Sequence, residues 1–209
     1  MKNLLLTFFL ATLFASCSNR SSQELPILGR HEYNETELGI DTVFHTINSF
    51  SLLDQDSSVI TNETYDGKVY VADFFFTSCP SICPIMKVQM LRIYEEFSAD
   101  STVMLLSHTI DPKYDNVKVL KNYANRLEVN SNKWHFVTGD KATIYEMAQT
   151  SYYVATRENE KAPGGYEHSG AFLLIDNQRR IRGVYDGTRV GAVDELIEDI
   201  KTLLVEVNE

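Results

Sequence analysis

The sequence predicts an α/β fold with a mixed β-sheet, and three observations support this prediction. Residues 69–76 form a nearly continuous apolar run, which is typical of a central strand covered on both faces. Apolar residues at helical spacing follow in 84–97, and apolar runs and helical patterns then alternate as far as residue 149. A predicted hairpin and a last amphipathic helix close the chain, so the sheet should contain antiparallel strands as well.

The other elements follow from apolar patterns bounded by turn residues. Few periodic signals occur in residues 25–45, so we expect an extended arm there, followed by a hairpin before the main sheet. An exposed, charged loop is expected at 156–167. The predicted hairpin strands are 48–53 and 57–62; the further strands are 103–110, 134–137, 152–155, 171–175 and 180–185; the further helices are 116–127, 142–149 and 193–207.

The first residues have the pattern of an export signal. Lys2 supplies a basic start, residues 4–14 are apolar, and small residues precede Cys17. This resembles a bacterial lipobox, which predicts that Cys17 is the lipidated N-terminus of an exported, membrane-anchored protein facing the periplasm or the cell exterior. An ordinary cleaved signal with an incidental cysteine is the alternative. The predicted organisation is a signal peptide at 1–16, a tether and extended arm at 17–46, and one domain at 47–207.

Charge excludes some classes of partner. The chain of 209 residues has a formal net charge of −10, and removal of the signal with its one lysine makes it −11. An acidic chain without a basic cluster argues against nucleic acid or an anionic lipid surface as a partner. The remaining length predicts a single domain with a substantial core.

The stretch F-F-F-T-S-C-P-S-I-C-P places Cys79 and Cys83 directly after the predicted central strand. Proline disfavours the helical region for the residue before it, so neither cysteine should lie inside a helix. Proline is also favoured at the first helical position, which makes Cys83 a candidate cap and Pro84 the first residue of a helix. Both sulfurs would then face the positive end of a helix dipole, which favours the thiolate form.

Cys79 and Cys83 can pair as a disulfide in an exported protein. Such a short loop gives only about 2 kcal/mol of chain-entropy stabilisation, so a purely structural role explains the pair poorly. As metal ligands, two thiolates fall short of the four ligands of structural zinc, whereas two thiolates and an imidazole suit copper. Of the five histidines, His168 stands out because it lies between a glycine-containing loop and a predicted strand.

Four segments of this chain together resemble the Sco/SenC family of copper proteins, over roughly residues 47–207. They are F-F-T-S-C-P-S-I-C-P around the cysteines, D-P-K-Y-D at 111–115, W-H-F-V-T-G at 134–139 and H-S-G-A-F-L-L-I-D at 168–176. The resemblance implies a thioredoxin-like fold: a central mixed sheet flanked by helices, here with an N-terminal β-hairpin extension. Where the family often has Thr-Pro after the second aspartate of D-P-K-Y-D, this chain has Asn116 and Val117.

The resemblance implies that Cys79, Cys83 and His168 bind one copper ion, as Cu(I) or Cu(II). It also implies a role in building the CuA centre of cytochrome c oxidase subunit II. The expected partners are this subunit, as the protein to which copper is delivered, or another copper acceptor, and a copper donor protein. Asp111 matches a family acid and is expected near the ligands rather than among them.

Two alternatives to a metallochaperone remain, and His168 discriminates, because a copper site needs it whereas disulfide exchange needs only the two cysteines. One is a thiol-disulfide oxidoreductase that reduces the cysteines of a partner, in which one thiolate attacks and the other resolves. The other is a copper or redox sensor. Asp73, in the middle of the predicted central strand, is either a proton acceptor beneath the cysteines or a buried acid satisfied by its neighbours.

Overall fold

The computed structural model describes residues 24–37 and 39–207. The predicted signal peptide and the predicted lipidation site, Cys17, lie outside these ranges. Within them, no helix combines the length and the apolar character needed to cross a bilayer.

A seven-stranded mixed sheet forms the centre of the domain. The strands of the chain are β1 Glu32–Thr36, β2 Gly39–Val43, β3 Ser51–Asp54, β4 Val59–Thr61, β5 Val69–Phe75, β6 Val103–Thr109, β7 Trp134–Thr138, β8 Thr156–Glu158, β9 Tyr166–His168, β10 Ala171–Ile175 and β11 Ile181–Asp186. In the main sheet the strand order is β11-β10-β5-β6-β7-β3-β4. β5, β6 and β7 run parallel, and the neighbouring strands on both sides are antiparallel. The carboxyl ends of the parallel strands therefore share one edge of the sheet, which carries the candidate site.

Four helices accompany the sheet: α1 Cys83–Glu96, α2 Val117–Leu127, α3 Lys141–Thr150 and α4 Val190–Glu206. The side chains of Asn116 and Asp140 cap α2 and α3 by accepting hydrogen bonds from backbone N–H groups three residues on. An ion pair between Arg92 and Asp194 joins α1 to α4. The mixed sheet flanked by helices is the α/β arrangement that the sequence predicts, and the predicted fold is confirmed.

The predicted strand at 152–155 is wrong, and the predicted loop at 156–167 is bounded by strands. Tyr153 takes a left-handed φ of 55°, and the Val154 N–H donates to the Ala148 carbonyl at 2.7 Å, so this segment wraps around the end of α3. β8 and β9 then pair as an antiparallel two-stranded sheet outside the main one. We call this unit, residues 156–168, the histidine ribbon.

The N-terminal segments also differ from the expected arm. Residues 25–45 include the hairpin of β1 and β2, which Gly39 permits with a φ of 129°. Arg182 holds the start of the arm by donating to the carbonyls of Leu25 and Pro26. The hairpin predicted at 48–53 and 57–62 is present as β3 and β4, and β3 pairs with β7 of the main sheet.

Candidate metal centre

The segment that we call the cysteine loop, residues 76–82, connects β5 to α1. It turns sharply, because the Cys79 N–H donates to the Phe76 carbonyl at 3.2 Å. α1 begins at Cys83, with Ile82 as its N-cap and Pro84 as the next helical residue. Cys83 is thus the first helical residue and not the cap that the sequence predicted, one position from the expected boundary. The side chains of Cys79 and Cys83 are both buried, and both are free thiols. Their disulfide stays a prediction.

His168, the last residue of β9, completes a group of three with the two cysteines. Its Nε2 lies 3.1 Å from Cys83 Sγ, and its Nδ1 lies 3.0 Å from the Ser169 carbonyl oxygen. A carbonyl can only accept, so the proton belongs on Nδ1 and the Nε2 lone pair points to the sulfurs. The two Sγ atoms and the imidazole nitrogen all lie within 4.8 Å of one another.

Phe76 connects the histidine ribbon to the cysteine loop. Its ring lies 5.2 Å from the Tyr166 ring and 5.8 Å from the His168 ring, the latter edge-on at 82°. Gly164 makes this approach possible: its φ is 78°, and a Cβ there would lie 2.7 Å from Cε2 of Phe76. A larger residue at 164 would push the ribbon, and with it His168, away from the cysteines.

The two thiols are electrostatically unequal. A hydrogen bond from Cys83 lowers the pKa of Cys79 to about 3, against the opposing effect of burial. The same hydrogen bond, followed by burial, raises the pKa of Cys83. The pair therefore shares one proton, with the thiolate on Cys79 and the proton on Cys83. Ser81 supports the thiolate, since its hydroxyl oxygen lies 3.5 Å from Cys79 Sγ.

The three side chains also differ in access. Cys79 and His168 line an open cleft of about 350 Å³ between the cysteine loop and the ribbon, and Tyr166 and Lys161 lie on its far wall. Cys83 instead lines a small, partly open cavity of about 10 Å³, large enough for roughly one water molecule.

Asp73, the predicted proton acceptor, lines the same small cavity as Cys83. It is 5% exposed, and burial raises its pKa from 3.8 to about 6, opposed by a hydrogen bond from the Ser107 hydroxyl. The Trp134 Nε1–H donates to the Ser107 oxygen at 2.9 Å, which orients that hydroxyl. Asp73 thus lies beneath the thiols, and its part in proton transfer stays a prediction.

Asp111 contacts the histidine ribbon. Its carboxylate lies beside the Tyr166 phenol, whose pKa is raised by burial first and by this carboxylate second. The acid that does reach the cysteine loop is Asp115, which is fully buried and accepts hydrogen bonds from Thr77 and Thr109. Our sequence reasoning missed it, although it is the second aspartate of the D-P-K-Y-D segment.

The remaining histidines lie elsewhere. His31 and His45 belong to the N-terminal segment, His108 is buried in β6 and stacks on Phe74, and His135 pairs with Asp54. Over residues 24–37 and 39–207, Cys79, Cys83 and His168 form the one group of three or more potential metal-binding side chains.

The chain is similar in sequence to proteins of one family. The SCO1/SenC family model matches residues 40–205. The SCO1 protein homolog of Bacillus subtilis is 29% identical over 167 residues, which cover 78% of this chain and 84% of the homolog.

Solved structures give the same result. A SCO1/SenC family lipoprotein from Bacillus anthracis superposes with a TM-score of 0.71 at 25% identity, covering 77% of this chain and 95% of that one. BsSco, described as a member of the Sco family of cytochrome c oxidase assembly proteins, superposes with a TM-score of 0.67 at 28% identity, covering 76% and 93%.

Proposed function

Because this chain belongs to the SCO1/SenC family, we propose that it is a copper metallochaperone of cytochrome c oxidase assembly. It binds one Cu(I) or Cu(II) ion through Cys79, Cys83 and His168 and delivers it to the CuA site of subunit II. The observation that carries the proposal is the convergence of Cys83 and His168, 85 residues apart in the chain, on one site that also contains Cys79.

The donor set fits copper on chemical grounds. Two sulfurs and one imidazole nitrogen form a soft, three-coordinate set that suits Cu(I) and leaves room for a further ligand on Cu(II). Structural zinc sites use four protein ligands, and within the described ranges no fourth histidine, cysteine or acid joins this group. The Nδ1–H bond to the Ser169 carbonyl fixes the tautomer that a metal-bound histidine requires.

The access of the three ligands suggests an order of release. Cys79 and His168 face the open cleft, so incoming thiolates or imidazoles of an acceptor reach their side of the ion first. Cys83 lies behind them and would release the ion last. Each exchange replaces one ligand by another, so the ion need not be exposed to water as a free cation.

The cellular setting is part of the same proposal. The export signal and Cys17 would tether the domain to a membrane, on its periplasmic or outer side, where the acceptor subunit and a copper donor protein would meet it. The similarity to BsSco, a relative that belongs to the cytochrome c oxidase assembly proteins, supports this choice of acceptor.

The inequality of the two thiols favours a second candidate, a thiol-disulfide oxidoreductase. The Cys79 thiolate would attack a partner disulfide, forming a mixed disulfide and expelling one partner thiolate. Cys83, after losing its proton to Asp73, would then attack Cys79 Sγ and expel the second partner thiolate. The partner gains two electrons, and this protein ends as the Cys79–Cys83 disulfide. A copper or redox sensor would use the same residues.

The His168→Ala variant separates the two candidates. A chaperone should lose stoichiometric copper binding and the thiolate-to-Cu(II) charge-transfer absorption, while its cysteines still form a disulfide. His31→Ala, which changes a histidine outside the site, is the matched control and should bind copper like the wild type. If His168→Ala binds copper as tightly as the wild type, the ligand assignment is wrong. Normal oxidase assembly in a deletion strain at low copper would contradict the cellular role.

A further inference from the structure

The loop after β6, residues 111–115, inserts one acid beneath the cysteine loop. We propose that Asp115 is a positioning residue that fixes the cysteine loop in the conformation that binds the metal. This inference rests on the proposed function, because it assigns Asp115 a role in the affinity of that site. Asp115 touches none of the three ligands and would act through Thr77.

The carboxylate of Asp115 accepts three hydrogen bonds from two elements. The Thr77 N–H donates to Oδ2 at 3.0 Å, and the Thr77 hydroxyl donates to Oδ1. The Thr109 hydroxyl, at the end of β6, donates to Oδ2 at 2.6 Å. One buried side chain thus joins the cysteine loop to the carboxyl end of the neighbouring central strand.

Hydrogen bonds within the loop orient the Asp115 carboxylate. The N–H groups of Tyr114 and Asp115 donate to the Asp111 carbonyl at 3.1 and 2.8 Å, which folds the loop back on itself. The Asp111 N–H donates to Thr109 Oγ1 at 3.1 Å, so the threonine that donates to Asp115 is itself oriented by the loop. Hydrogen bonds to the backbone of Asp111 therefore hold both Asp115 and Thr109 in place.

Thr77 is two residues before Cys79, and the turn that follows is closed by the Cys79 N–H bond to the Phe76 carbonyl. Holding both the N–H and the hydroxyl of Thr77 fixes its backbone and its side-chain rotamer together. The position of Cys79 Sγ then follows from a short, constrained segment. Removal of the anchor would let the loop sample positions in which the sulfurs are wrongly spaced for one ion.

Asparagine tests this arrangement with little change in volume. Its single oxygen can accept only part of the three hydrogen bonds, and its amide N–H₂ would face donors rather than acceptors. A buried donor left without an acceptor destabilises the local conformation. Asp100→Asn is the matched control, because the Asp100 carboxylate likewise accepts from the N–H and the hydroxyl of one threonine, Thr102, but lies before the start of β6, at the opposite end of that strand from the site.

The experiment compares the purified wild type with Asp115→Asn, Asp100→Asn, Thr77→Val and Thr77→Ser. Cu(I) affinity is measured by chelator competition, and the Cu(II) thiolate charge-transfer band is recorded. We expect Asp115→Asn to lower the affinity by about 10- to 100-fold and to shift the band, as changes around metal ligands do. Thr77→Val should change both in the same direction by less, Thr77→Ser should behave like the wild type, and Asp100→Asn should stay within about threefold of the wild-type affinity.

Two measurements on the metal-free proteins keep this test separate from the copper proposal. Amide exchange at Thr77 should accelerate in Asp115→Asn, and the Cys79–Cys83 disulfide should become easier to reduce by glutathione, because the sulfurs are held together less often. If the wild type does not bind copper, the proposed function is contradicted, but the changes in amide exchange and in disulfide reduction are still expected. If Asp115→Asn matches Asp100→Asn in every measurement, Asp115 has no positioning role. Should Asp115→Asn fail to fold, unchanged affinity and spectrum in Thr77→Val would overturn the proposal equally.

Discussion

The two halves of the candidate metal centre are held in different ways. The cysteine loop follows β5, whose seven residues are all buried, and Asp115 ties it to the next central strand. His168 comes from a two-stranded ribbon outside the main sheet, where every residue of β9 is half-buried. The difference indicates that the core fixes the sulfur pair, whereas the third ligand depends on the packing of the ribbon against Phe76.

The largest effect on copper binding is expected from a change in the cysteine half of the site, which consists of Cys79 and Cys83. Cys83→Ser should reduce copper binding below detection in a chelator competition, because a hydroxyl replaces the buried soft ligand. Ser81→Ala, a change in the same loop, should retain stoichiometric binding. Retention of tight binding by Cys83→Ser would show that the buried sulfur is not a ligand and would remove the basis for the comparison.

The second prediction concerns the pH dependence of the cysteine half. The folded-state pKa of Asp73, about 6, lies above its ordinary value of 3.8, so protonation favours the folded state. This contribution is fully present below pH 3.8 and is lost as the pH rises through 6, a change of up to about 3 kcal/mol in the free energy of unfolding.

In metal-free protein, the stability of Asp73→Asn relative to the wild type should therefore rise between pH 4 and pH 7, as followed by urea unfolding with Trp134 fluorescence. The variant keeps the volume and still accepts the Ser107 hydroxyl. If the stability of the two proteins changes in parallel over this range, the pKa of Asp73 is not raised in the folded protein.

The third prediction concerns the histidine ribbon, where the smallest effect on copper affinity is expected. Gly164→Ala should lower Cu(I) affinity by about tenfold, because its Cβ meets the Phe76 ring and moves His168 outward. Gly165→Ala is a stringent control: its φ is also positive, 85°, but nothing lies within 4 Å of the added Cβ. Equal losses in both variants would assign the effect to backbone strain and not to the contact with Phe76.

The sequence was most informative where chemistry and local pattern coincide. Cys79 and Cys83 stand out through their prolines and the preceding apolar strand, and the resemblance adds His168. The predicted mixed sheet flanked by helices is likewise confirmed. These features depend on short stretches of chain or on motifs.

The histidine ribbon and Asp115 were beyond sequence reasoning for a physical reason. Residues 156–158 and 166–168 are too short and too charged to show strand alternation, and their pairing depends on contacts between the two strands, such as the one between Arg157 and Glu167. Asp115 resembled any acid of a surface loop, since its burial depends on hydrogen bonds from Thr109 and from Thr77, which is 38 residues away in the chain. Contacts of this kind are properties of the folded molecule.

The central claim is that one copper ion is held jointly by both halves, through Cys79, Cys83 and His168. X-ray absorption spectroscopy of the protein loaded with one equivalent of Cu(I) counts the ligands directly. We predict scattering from two sulfurs and one imidazole nitrogen in the wild type, with the imidazole component absent from His168→Ala under the same loading. Two sulfurs without imidazole in the wild type, or identical spectra for the two proteins, would contradict the account.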